Sequence, residues 1–121
     1  MSMKNWSKAG LVGVVAMMAA GSAAIAEPVG GPAWDNAIAP AYGSVTYTLE
    51  LYGQESTRIT LDGNGNSDLD LFVYDEFGNL VARDIGYTDF ASVAVTPRWT
   101  GEFTIVVVNN GRANGYHLQV D

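Results

Sequence analysis

Residues 67–84 read SDLDLFVYDEFGNLVARD, and this stretch decides the fold. Its first half alternates, so that the leucines and the central valine share one face of a strand while an aspartate and two aromatic rings share the other. The DEFGN segment at 75–79 predicts a type I turn that a glycine at positive φ closes. The LVARD segment that follows predicts the second strand of a β-hairpin.

The same alternation continues on both sides of this hairpin. The segments SVTYTLEL, STRITLD, FASVAVT, GEFTIVVVN and GYHLQVD are rich in β-branched and aromatic residues, and turn residues separate them about every ten positions. The continuous run at 105–108 indicates a central strand. We therefore expect an all-β fold, an antiparallel jelly-roll-like β-sandwich of about seven to eight short strands, whose strand order the sequence does not give.

The N-terminus has the three parts of a secretory signal peptide. Lys4 and Lys8 precede an apolar run rich in alanine and glycine, which ends in AIA before Glu27. We expect residues 1–26 to be a signal peptide, 27–43 a leader rich in proline and glycine, and 44–121 the β-sandwich domain. The alternative is an uncleaved membrane anchor. Export would place the protein in the periplasm or outside the cell.

Charge and composition exclude several classes of function. Loss of the two lysines with the signal peptide leaves four arginines against thirteen acidic residues, so the formal charge falls from −7 to −9. Such a field repels nucleic acid and anionic membrane surfaces. The chain has no cysteine, so no disulfide supports this small exported domain. It has a single histidine, His117, and no serine on a nucleophile elbow, so we expect no catalytic residues.

The aspartate-rich run before the fold-deciding strand allows two interpretations. Calcium needs six to eight oxygen ligands, and a flexible loop supplies them readily. The run does not match an EF-hand loop or a calcium-binding nonapeptide repeat, but three of its carboxylates would meet if its strands ended at one sheet edge. The alternative is a solvated turn. The predicted ligands of a calcium ion are Asp62, Asn64, Asn66, Asp68 and Asp70.

Three aromatic residues are candidates for ligand binding. Phe72 and Tyr74 share the second face of their strand, and either the leader with Trp34 covers them or they form an exposed strip that stacks on a sugar or a peptide. Trp99 follows Pro97 in the turn before the longest strand, where it is either a packed corner or a ligand contact. An extracellular protein or polysaccharide is the expected partner. A structural or assembly subunit is the other class that remains open.

The quoted stretch, together with SVAVTPRWTGEFTIVVV and NGYHLQV, resembles the bacterial pre-peptidase C-terminal domain. TYTLELYGQESTRITLDG is similar to the preceding hairpin of that family, where a short Gly-Gln turn joins two strands. The resemblance implies a jelly-roll-like sandwich that acts as an accessory module. Relatives in clostridial collagenases bind calcium and collagen, but the acidic linker that supplies their calcium ligands is not recognisable here. We therefore expect the fold to transfer better than the function.

Overall fold

A computed structural model describes residues 14–18, 21–25 and 33–121, the first two ranges as backbone only. No helix in these ranges is long and apolar enough to cross a membrane. The described residues form ten strands: β1 Val14–Met18, β2 Gly21–Ile25, β3 Ala33–Ala39, β4 Ser44–Leu51, β5 Thr57–Gly63, β6 Leu69–Tyr74, β7 Leu80–Asp84, β8 Phe90–Val95, β9 Gly101–Asn109 and β10 Asn114–Val120.

The strands form two antiparallel sheets that pack face to face. Sheet I has the order β2-β1-β4-β9-β6-β7, and sheet II has the order β3-β10-β5-β8. From β3 onward the chain changes sheet at every connection except the one between β6 and β7. The structure confirms the predicted all-β sandwich, and it places β9 in the interior of sheet I, as the valine run predicts.

The two sheets bury the alternating apolar residues between them. Leucine, isoleucine and valine side chains from β4, β5, β6, β8, β9 and β10 form one core with two tyrosines and Phe103. Each of these six strands therefore has a buried inner face and a more exposed outer face. This alternation decides which side chains are available to a ligand.

The hairpin predicted at residues 75–79 is present, whereas the upstream hairpin is not. In the hairpin at residues 75–79, the Asp75 backbone N–H donates to the Asn79 carbonyl oxygen at 2.9 Å, and Gly78 has a φ of 83°. The strands on either side of the Gly53–Gln54 turn do not pair with each other, because β4 belongs to sheet I and β5 to sheet II. That segment is a corner between the sheets.

The sandwich begins before Ser44, which corrects the predicted extent of the leader. β3 lies within residues 27–43 and pairs with β10 along its whole length, from Ala33 opposite Val120 to Ala39 opposite Asn114. The segment lacks a sequence signal because its inward residues are mostly alanines, which are short enough to fit at a sheet edge. Trp34 does not tuck against the core, but points outward and is 56% exposed.

A buried polar cluster fastens β3 to both sheets. Tyr47 of sheet I donates its hydroxyl hydrogen to the Asp35 carboxylate at 2.8 Å. The Tyr47 and Tyr116 hydroxyls are 2.5 Å apart, and since the Tyr47 hydrogen is already engaged, Tyr116 donates to Tyr47. Burial, followed by the neighbouring Tyr116 hydroxyl and then by Asp35, raises the pKa of Tyr47 far above its ordinary value. Burial likewise raises the pKa of Tyr116, so both hydroxyls stay protonated.

The strands β1 and β2 form a hairpin that pairs with the edge of β4 through Val15–Met18. They lie within the segment that we expect to be a signal peptide. The predicted cleavage site after Ala26 lies outside the described residues. The signal peptide stays a prediction.

Candidate ligand-binding cleft and aspartate loop

The aspartate-rich run connects the two sheets and therefore divides its acidic residues between opposite faces of the sandwich. Asp62 is at the end of β5, where it faces out from sheet II between its neighbours His117 and Phe90. Asp70 alternates with buried leucines on β6 and faces out from sheet I. Asn64 and Asn66 lie in the exposed loop between them. The five predicted ligands do not converge on one point.

Asp68 and Asp70 are the two predicted ligands that come together. Asn110 contacts both residues. Its backbone N–H donates to the Asp68 carbonyl oxygen at 2.9 Å, and its side-chain Nδ2 donates to Asp70 Oδ2 at 2.8 Å. The Oδ1 atoms of both aspartates are buried without a hydrogen-bond partner. Desolvation, and then the charge of Asp70, raise the pKa of the Asp68 carboxyl. A bound cation or a proton would reduce the electrostatic repulsion between the Asp68 and Asp70 carboxylates.

A separate hydrogen-bond network fixes the rest of the loop. Asp89 accepts from the Gly65 amide and, at 3.3 Å, from the Asn114 side chain. The Ser67 hydroxyl donates to Asn109 Oδ1 at 2.7 Å and accepts from Asn114 at 3.0 Å. Within the ranges that the structure describes, no three acidic or histidine side chains are grouped as a metal site would require.

Asn109 is the organising residue that the sequence did not reveal. Its buried side-chain nitrogen, Nδ2, donates to three backbone carbonyls, those of Ala39 at 3.2 Å, Pro40 at 3.1 Å and Arg112 at 2.8 Å. Its amide oxygen accepts from the Gly111 amide at 3.0 Å as well as from Ser67. In the sequence it is the last letter of a strand before an Asn-Gly turn, and only the convergence of three loops gives it partners.

The aromatic pair Phe72 and Tyr74 lies half-buried on the outer face of sheet I. Phe72 is flanked across the sheet by Val106 and Arg83. The predicted cover by the leader and Trp34 is wrong, because β3 joins the far edge of sheet II. Neighbouring side chains of the same sheet shield these rings, so neither ring is the prominent exposed aromatic that a ligand would stack on.

A cleft of about 360 Å³ opens where the β6–β7 turn meets the β8–β9 turn. Its walls include the exposed rings of Phe77 (70% exposed) and Trp99 (59% exposed) and the apolar side chains of Val81 and Phe103. Arg98 and Glu76 are among the charged residues that line it. Trp99 is therefore a wall of an open cleft rather than a packed corner.

Hydrogen bonds hold both turns that carry the two rings. Asp75 Oδ1 accepts from the amides of Phe77 and Asn79, each at 2.9 Å. These hydrogen bonds lower the pKa of Asp75, and the bond from the Asn79 backbone has the largest effect. On the other wall, Gln54 donates through its backbone to Pro97 O and through its side chain to Arg98 O, both at 2.7 Å. The rings are thus presented by fixed turns, which lowers the entropic cost of binding.

His117 faces outward from β10, as the alternation predicts. Its ring contacts Asn36, Gln119 and Trp34.

The comparisons with known proteins show similarity in fold alone. No family model and no curated protein matches the chain. The pre-peptidase C-terminal domain of a collagenase from Bacillus anthracis aligns with a TM-score of 0.53 and 16% identity, over 72% of this chain and 88% of that one. PliG, a periplasmic inhibitor of g-type lysozyme from Aeromonas hydrophila, aligns with a TM-score of 0.53 and 18% identity, over 74% of this chain and 84% of that one. The resemblance read from the sequence is therefore confirmed, and the chain has the fold of a pre-peptidase C-terminal domain.

Proposed function

We propose that the protein is an exported, non-catalytic accessory module that binds an extended segment of an extracellular protein in the cleft between Phe77 and Trp99. One observation carries this proposal: two large rings, each more than half exposed, bracket a concave apolar surface on rigid turns. Aromatic side chains in such a setting are the usual anchors of a binding site.

The chemistry of the cleft favours a peptide over a polysaccharide. Its floor and walls are mainly apolar, and the exposed Val81 side chain is positioned to contact an apolar side chain of the peptide. Sugar recognition also needs side-chain groups that bond to hydroxyls, and Asp75 is already engaged within its own turn. Arg98 and Glu76 remain as charged groups for the backbone or the ends of a peptide.

A selection from a displayed library of random peptides tests this function. We expect the protein to enrich peptides with an apolar or aromatic anchor, and the Trp99→Ala and Phe77→Ala variants to weaken their binding by more than about tenfold each. Tyr87→Ala is the matched control, because that ring is exposed on the β7–β8 connection and does not line the cleft. Enriched peptides that bind the two cleft variants as tightly as the unmodified protein would refute the proposal. A dimer in solution that Trp99→Ala dissociates would favour an assembly subunit instead.

We also propose that calcium binds weakly at Asp68 and Asp70 and has a structural role. The two unpartnered Oδ1 atoms and the raised pKa of Asp68 support this, since a cation would satisfy both atoms and offset the repulsion between the carboxylates. The pair supplies only part of a calcium shell, so water would complete it. Asp62, Asn64 and Asn66 have no place in this reduced site.

A thermal melt separates a calcium site from a plain turn. We expect about millimolar calcium, added after a chelator, to raise the melting temperature by several degrees. The rise should vanish in an Asp68→Asn/Asp70→Asn variant and persist in Asp62→Asn, which changes a carboxylate on the opposite face. An unchanged melting temperature in the unmodified protein would leave the loop as a turn. Export is tested separately, by sequencing the N-terminus of the secreted protein, which we expect to begin at Glu27.

A further inference from the structure

The outer face of sheet II carries a second set of exposed aromatic and polar groups, and none of them is among the residues that line the cleft. We call it the Trp34 face, and it consists of Trp34, Asn36, Thr60, Asp62, Phe90, His117 and Gln119. The strand register arranges these residues in two rows across the sheet. One row runs Asn36, His117, Asp62, Phe90, and the other runs Trp34, Gln119, Thr60.

At one side of this face, Trp34 and His117 form a fixed aromatic platform. Their rings stack with centroids 5.9 Å apart and an angle of 25° between the planes. The histidine ring is held in turn, because its Nδ1–H donates to Asn36 Oδ1 at 2.7 Å and its Nε2 lies 3.3 Å from Gln119 Oε1. Trp34 nevertheless stays 56% exposed. A large ring that is ordered yet exposed is suited to stacking on a ligand.

Hydrogen-bonding groups without internal partners lie beside this platform. Among the described residues Asn36 uses only its amide oxygen, which leaves its amide nitrogen available. Among the residues that the structure describes, neither the Asp62 carboxylate nor the Thr60 hydroxyl has a hydrogen bond or ion pair, and both point outward. The face therefore combines a planar amide donor with hydroxyl and carboxylate acceptors, a set that suits the alternating donors and acceptors of sugar hydroxyls.

Phe90 bounds the other side of the face. It is 53% exposed on β8, three strands away from β3. Neighbouring strands are about 4.8 Å apart, so the aromatic residues on the two edge strands are separated by roughly 14 Å across the sheet. The polar groups lie between them. This layout fits an elongated ligand of several rings better than a single small molecule.

From this face we infer a second binding site, for a glycan chain that carries no acidic groups. Charge complementarity selects the occupant. The whole chain has a net charge of −7, Asp62 stands in the middle of the face, and Arg58 at its border is engaged with Ser92 Oγ at 3.1 Å. An acidic polysaccharide would meet repulsion, whereas neutral or amino-bearing sugars would not. Amide and carboxylate groups on an open sheet face do not form the buried apolar pocket of a protein hot spot, so a protein partner is disfavoured.

The inference is independent of the peptide cleft, and one pull-down experiment separates the two. The purified protein is incubated with insoluble cellulose, xylan, chitin and chitosan, with polygalacturonate as the acidic probe and with immobilised gelatin as the protein probe. We expect retention on at least one of the four non-acidic glycans and none on polygalacturonate. Trp34→Ala should weaken that retention by at least about tenfold, and Asp62→Asn should also weaken it. Trp99→Ala is the matched control, since it removes an equally exposed tryptophan from the cleft, and it should bind the glycan unchanged.

Four results would overturn the inference. They are retention on none of the non-acidic glycans, preference for polygalacturonate, undiminished glycan binding by Trp34→Ala, and retention on gelatin that Trp34→Ala alone abolishes. A circular dichroism melt of each variant shows whether it folds. If Trp34→Ala does not fold, Trp34→Phe and Gln119→Ala replace it, and glycan binding that neither variant weakens would likewise overturn the inference. Loss of peptide binding in Trp99→Ala with glycan binding intact would support both sites separately.

Discussion

Removal of the Tyr47 hydroxyl is the sharpest test of how β3 is fastened to the sandwich. Tyr47→Phe keeps the ring in the core but removes the only donor that the structure shows for Asp35 Oδ2, and it takes the acceptor from the buried Tyr116 hydroxyl. A hydrogen bond to a charged group contributes about 1.5–3 kcal/mol, and a buried unsatisfied hydroxyl costs about 1–3 kcal/mol. Since Asp35 is only half-buried, water recovers part of the loss. We expect a destabilisation of about 3 kcal/mol.

A double-mutant cycle distinguishes this network from simple loss of packing. Tyr116→Phe should cost about 1 kcal/mol, because Tyr47 keeps its bond to Asp35. The double variant should cost about 2 kcal/mol rather than the sum of about 4 kcal/mol, since no hydroxyl is left without a partner. Urea unfolding at neutral pH measures all three values, and unchanged m-values would show that the unfolded state is not altered. For a domain of this size, 3 kcal/mol lowers the melting temperature by more than about 10 °C.

Two results would refute the reasoning. If Tyr47→Phe changes the unfolding free energy by less than about 0.5 kcal/mol, the hydroxyl network does not hold β3. If the two single effects add, the hydroxyls act independently and the 2.5 Å contact between them is not a coupled hydrogen bond. Asp35→Asn provides a further control, because an amide oxygen can still accept from Tyr47 and should preserve part of the stability.

Four further changes test the loops by urea unfolding. The pKa of Asp68 is raised in the folded protein, so the protonated carboxyl favours the folded state. This contribution to the free energy of unfolding is complete below about pH 3.8 and is lost as the pH rises through the raised pKa. Asp68→Asn should therefore stabilise the protein at neutral pH and not in acid. The pKa of Asp75 is lowered, so Asp75→Asn should destabilise at neutral pH, with a deficit that narrows as the pH falls below about 3.8. Asn109→Asp turns a carboxylate toward three carbonyls that now accept from an amide, and should cost at least about 3 kcal/mol. Gly53→Ala would place a methyl group against the backbone of Trp99, and should cost about 1–3 kcal/mol and weaken peptide binding in the cleft. Each variant is compared with the unmodified protein. At neutral pH, a free energy of unfolding equal to that of the unmodified protein would contradict the prediction for Asp68→Asn or Asp75→Asn. The same result for Asn109→Asp or Gly53→Ala would contradict the prediction for that variant.

Features that depend on residues close together in the chain could be predicted from the amino-acid sequence. Side-chain alternation has a period of two residues, so it identified the inner and outer faces of β4, β5, β6 and β10 without knowledge of their partners. The turn at 75–79 was equally readable, because its aspartate and its glycine at positive φ act within five residues. The outward position of His117 followed from the same period. The resemblance to the pre-peptidase C-terminal domain rests on these local signals in their order.

Features that depend on the order of strands in the two sheets became visible only in the folded protein. β3 has short inward residues and no clear signal, and it becomes a strand because β10 offers a free edge. Asp62 and Asp70 are close in sequence, yet the crossing between sheets sends them to opposite faces, which reduces the predicted set of metal ligands to a pair. The Trp34 face and the Asn109 network join residues that are tens of positions apart. No local pattern encodes such contacts, because loop closure and sheet order bring them together only when the whole sandwich has folded.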